Sequence, residues 1–77
     1  MARLTLIFKD KDTGAPIAFI SFTVDGKIGA SDKDGVAEMD LPEGTYMLRV
    51  RHPFYEPVTM SVKVPGSYTI HLRSVHL

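Results

Sequence analysis

The stretch SDKDGVAEMDLPEG, residues 31–44, places Asp32, Asp34, Glu38, Asp40 and Glu43 beside Gly35 and Gly44. Carboxylates this dense can chelate a hard cation or act as an acid–base pair. A helix–loop–helix calcium loop needs oxygen ligands at positions 1, 3 and 5, glycine at 6 and a bidentate glutamate at 12. With Gly35 at the glycine position, Ala30 takes position 1 and Leu41 takes position 12, so both key ligands fail. Acid–base chemistry needs a concave, desolvating site that drives two pKa values apart. Asp10, Asp12, Asp32, Asp34 and Glu43 fall instead in turn-forming segments, and Glu38 and Asp40 share one outward strand face. The stretch therefore reads as turn chemistry, with Asp capping local N–H groups and Gly supplying positive φ. No catalytic residue, metal or cofactor is expected.

The histidines are His52, His71 and His76. Zinc needs several ligands converging on one point, whereas His71 and His76, five apart, would face opposite sides of a strand. With no cysteine, there is no thiolate nucleophile, no disulfide and no Cys-rich zinc site. Arg49 and Arg51 project from one face of a strand and, with the adjacent His52, form a candidate small-anion contact. A groove for single-stranded nucleic acid adds stacking aromatics to such a stripe, and only Phe54 and Tyr55 are close in sequence. Nine basic residues balance nine acidic ones, against the basic excess of nucleic-acid or anionic-membrane binders. Neither partner is expected. The apolar runs are too short to span a bilayer.

The elements that position these residues follow a period of two. Leu4, Leu6 and Phe8 alternate with polar-side positions, then DKDTGAP supplies a turn. Ala18, Ile20, Phe22 and Val24 form the inner face of a second strand, which Asp25-Gly26 ends as a hairpin turn. A short strand over Lys27–Ala30 follows. Ala37, Met39 and Leu41 form the next core set, then Tyr46, Leu48 and Val50 after Pro42-Glu43-Gly44. HPFYEP interrupts the pattern with two prolines, each lacking a ladder N–H. Val58, Met60, Val62 and Val64 precede Pro65-Gly66, and Tyr68, Ile70 and Leu72 close the series. Seven short strands with turns at such intervals predict an all-β, Greek-key sandwich, and 77 residues make a single domain, 1–77.

The order of these elements carries a resemblance. Thr13-Gly14, Pro16, Ser31-Asp32, Asp34-Gly35, Leu41-Pro42, Gly44, Tyr46, Leu48, Val50, Tyr55 and Pro57 match a pattern of TG-x-P, (T/S)D-x-DG and L-P-x-G-x-Y-x-L-x-V. In this the chain resembles the carboxypeptidase regulatory-like, transthyretin-like β-sandwich family. The resemblance spans nearly the whole chain and implies a fold, because the matching positions are turns and core. Two similar sandwiches do carry chemistry. Collagen-adhesin B-type domains join a first-strand lysine to a last-strand Asn or Asp, assisted by a buried Glu. Lys9-Asp10 sits where that lysine would, but Val50 stands at the Glu position and SYTIHLRSVHL has no Asn or Asp. Hydroxyisourate hydrolase has a first-strand His and a Tyr-Arg-Gly-Ser C-terminus. Here Ile7 and Phe8 occupy the first strand, and the chain ends RSVHL.

Ile7, Ile17, Phe19 and Met47 are apolar yet out of phase with their strands' core sets. The second and fifth strands of transthyretin-like sandwiches are neighbours, which would group Ile17, Phe19 and Met47. A contiguous apolar patch marks an interface. These three residues, with Phe54 and Tyr55, form the candidate partner interface. The expected function is a non-enzymatic binding or assembly module that meets a protein partner or a second copy of itself. The alternative is a small-anion-binding or hydrolase-type protein with its site at a subunit interface. MARLTLIFKDKD has too short an apolar run for a signal peptide, so with Met1 as the native start a cytoplasmic location is expected. An excised domain would carry no such expectation.

Overall fold

In the structure, a computed structural model describing residues 1–75, every regular element is a strand. They are β1 (Ala2–Asp10), β2 (Ser21–Val24), β3 (Lys27–Ala30), β4 (Val36–Leu41), β5 (Gly44–His52), β6 (Tyr55–Val64) and β7 (Gly66–Leu72). The expectation for His76 lies outside the described residues. The strands form two sheets, ordered β4-β1-β7 and β3-β2-β5-β6. β1 runs antiparallel to β4 and parallel to β7, and the pairs of the second sheet are all antiparallel. Leu4, Leu6 and Phe8 of β1 meet Phe22, Val24, Leu48, Val50 and Val62 in one core. The rings of Phe8 and Phe22 lie 5.5 Å apart, which places the inner faces in contact as a β-sandwich. Each such fully buried side chain contributes about 1.5–3 kcal/mol.

The period of two therefore placed most of the core, with one reversal. Ala18, expected inside, is exposed, and Ile17, assigned to the partner surface, is only 7% accessible. Regular pairing of β2 starts at Ser21, and Phe19 adopts φ 57°. A left-handed residue resets the alternation, so Ile17 and Ile20, three apart, both turn inward. Ile17 is part of the core, not of an interface.

HPFYEP also differs from its reading as a break. The turn is only Pro53-Phe54, and Tyr55 and Pro57 lie within β6. β6 is an edge strand, and its register with β5 shifts between Val50 and His52. A proline there withholds no required ladder bond. The C-terminal segment covers the start of this edge: Glu56 N–H donates to Arg73 C=O, and Val75 N–H donates to Phe54 C=O, both at 2.9 Å.

Candidate functional site

The acidic stretch builds a turn. Asp32 Oδ1 accepts the Asp34 N–H at 2.8 Å and the Val36 N–H at 3.0 Å, while Gly35 N–H donates to Asp32 C=O. Those backbone donors hold the Asp32 carboxyl below its usual range. Asp10 builds the first turn, accepting the Asp12 and Thr13 N–H groups at 2.8 and 3.3 Å. Among the described residues, no three His, Cys, Asp or Glu side chains converge to hold a metal ion.

The lowered value of Asp32 sets a pH dependence. A carboxylate with a folded pKa below the unfolded one stabilises fully above the ordinary range, near pH 4, and loses that contribution as pH falls through the folded value. Asp32→Ala should melt below the parent at neutral pH, and the gap should narrow from about pH 4 downward. Melting curves between pH 2 and pH 7 that stay parallel would contradict this assignment.

Ser31 does different work. Its hydroxyl, in a residue only 2% accessible, accepts the Ile20 N–H at 2.8 Å and donates to Ile17 C=O at 3.0 Å. Ser31 N–H donates to Ile20 C=O, and Phe19 N–H donates to Ser31 C=O. One small side chain thus fastens the irregular segment 17–20 and holds Phe19 in its left-handed conformation. Tyr46 closes the next turn, its hydroxyl donating to Pro42 C=O at 2.7 Å and its ring covering Gly44.

Of the anion candidates, Arg49 and Arg51 stand on the outer face of β5. With Ser21, Thr23 and Ile28 they line an open depression on the four-stranded sheet. Neither arginine has a carboxylate within ion-pair distance among the described residues. Thr23 lies between Ile28 and Arg49 in the cross-strand row. His52 does not join this depression. Its Nδ1 accepts the Phe54 N–H at 3.1 Å, and its ring lies 5.5 Å from Phe54 and 5.4 Å from Tyr55. His52 is therefore a brace for the β5–β6 turn, and shares a second, shallow depression with Arg51, Pro53 and Pro57.

The apolar candidates separate as well. β2 and β5 are neighbours as expected, but Met47 lies beside Asp25 at one end of β2 while Phe19 precedes Ser21 at the other. Phe19 is 71% accessible and Met47 45%, in different places. Phe54 is exposed at the β5–β6 turn, whereas Tyr55 packs against the core. Ile7, half-buried, pairs with Val36 on the outer side of the three-stranded sheet. Sequence reasoning missed Ile28, a large apolar strand residue that is 80% open to solvent. Its position opposite Thr23, itself out of phase with Phe22 and Val24, was the available signal.

The residues compared with covalent relatives are far from assembled. Lys9 follows buried Phe8 and lies on the outer side of the three-stranded sheet, level with His71. Val50 lies in the core.

No protein-family model matches the chain, and no curated protein matches it. Among solved structures it is similar to the Bacillus anthracis TIE protein, with a TM-score of 0.76 at 16% identity over 96% of this chain. The chain spans 16% of that protein's chain. Similarity at this identity supports the fold alone.

Proposed function

We propose that the chain is a non-enzymatic binding module on a Greek-key sandwich of the transthyretin-like, carboxypeptidase regulatory-like kind. Its working surface is the outer face of the β3-β2-β5-β6 sheet. The observation that carries this reading is the difference between the two outer faces. On the three-stranded sheet, Arg3 pairs with Glu38 at 3.1 Å and Asp40 at 3.6 Å, so the one arginine on the outer face of β1 is neutralised within the chain. On the four-stranded sheet, Arg49 and Arg51 have no such partner among the described residues, and Ile28 and Met47 are open to solvent. Unpaired guanidinium groups beside exposed apolar side chains are the ingredients of a protein interface.

A photoreactive residue placed at position 28 should yield a discrete crosslinked adduct in the native cell, while the same residue at Thr5, on the other face, should not. Equal labelling from both positions, or none from position 28, would refute this surface.

A further inference from the structure

We propose that the depression on the four-stranded sheet binds an extended acidic segment of a partner protein, one with carboxylates on alternate residues. The inference rests on the proposed working surface and names its occupant. Arg49 and Arg51 are two residues apart on β5, with the buried Val50 between them turned to the core. Their side chains therefore leave the same face about 7 Å apart, twice the rise per strand residue. An extended peptide repeats its own side chains at the same interval on one side. Glu-x-Glu in that conformation presents one carboxylate to each guanidinium, and each pair can be bidentate.

The surroundings fit such a ligand. Ser21 and Thr23 line the depression and carry hydroxyl groups able to donate to a carboxylate, and Ile28 gives it an apolar border. A single small anion would engage this spacing less well, because one oxyanion must bridge both groups. A second copy of the chain fits less well still when related by a two-fold axis. Such an interface presents the same patch from both copies, and an axis through the depression would bring the two Arg49/Arg51 pairs against one another, a strongly unfavourable meeting of like charges.

The test uses the full chain, labelled with ¹⁵N, and two capped pentapeptides of equal composition and charge, Thr-Glu-Thr-Glu-Thr and Thr-Thr-Glu-Glu-Thr. Inorganic phosphate serves as the small-anion probe, all at low salt. The alternating peptide should shift the amide signals of Ser21, Thr23, Ile28, Arg49 and Arg51 and bind several-fold more tightly than its isomer, since only it matches the two-residue spacing. The double variant Arg49→Gln/Arg51→Gln should weaken that binding by roughly tenfold or more while keeping the parent melting temperature. Equal affinity for the two peptides overturns the spacing argument. Phosphate binding at these residues without peptide binding, or a concentration-dependent dimer abolished by Ile28→Glu, replaces the acidic segment with a small anion or a second copy. Absence of any shift overturns the acidic ligand but leaves the position-28 crosslink to judge the surface itself.

Discussion

Replacing Gly35 with alanine should be strongly destabilising, because the added methyl meets both a left-handed backbone and close backbone neighbours. Gly35 has φ +77°, and a Cβ there would lie 2.8 Å from Phe8 O, 3.1 Å from Ile17 N and 3.2 Å from Ile17 O. All three are backbone atoms already committed to hydrogen bonds: Ile17 N–H donates to Phe8 C=O, and Ile17 C=O accepts the Ser31 hydroxyl. Relief would require separating β1 from the segment that Ser31 fastens. The left-handed backbone alone costs about 1–2 kcal/mol for a residue with a Cβ. Displacing packed backbone adds to that, for a total of about 3 kcal/mol or more. A domain of this size has only about 4–11 kcal/mol in total.

The control is Gly26→Ala. Gly26 has nearly the same φ, +81°, but nothing lies within 4 Å of its added Cβ, so it reports the backbone contribution by itself. Thermal melts should show Gly26→Ala lowered by about 5–15 °C and Gly35→Ala by clearly more, or too unstable to melt cooperatively. Equal losses would mean that the close approach of Phe8 and Ile17 relaxes freely.

Ser31→Ala should come second. Deleting the hydroxyl removes the partner of the Ile20 N–H and one partner of Ile17 C=O, in a site closed to solvent. A buried group left without its partner costs about 1–3 kcal/mol, so a loss of about 2–4 kcal/mol is expected for the pair. Ser31→Thr keeps the hydroxyl and should recover most of it. Hydrogen exchange locates the effect: the Ile20 amide should lose protection in Ser31→Ala by far more than the amide of Val62, in the paired β6 strand, does. An Ile20 amide as protected as in the parent would remove Ser31 from this role.

These two residues show how far the amino-acid order can be read. SDKDG is recognisable as a turn, because Asp caps local donors and Gly accepts positive φ. Its most consequential contacts, Ser31 to Ile17 and Ile20, and Gly35 to Phe8 and Ile17, join residues eleven to twenty-seven positions apart. No local rule contains them. The same limit explains Ile17, whose phase was inverted by a left-handed Phe19, a conformation that side-chain type does not announce. It also explains Tyr55 and Pro57, because a proline reads as a break until its strand is known to be an edge.

For the candidate site, the spacing of Arg49 and Arg51 was legible, since two residues of a strand share a face whatever the fold. Ile28 and the hydroxyls of Ser21 and Thr23 join them only through the β3-β2-β5 pairing. His52, adjacent in sequence, falls on the opposite side from Arg51 by the same alternation, and braces the turn through the Phe54 N–H instead. Period two, turn residues and apolar content are local properties, and they determined the seven strands, most of the core and the all-β class. Which strands become neighbours depends on how both sheets close over one core, and tertiary structure alone decided that Arg3 meets Glu38 and Asp40 while Arg49 and Arg51 meet no carboxylate among the described residues.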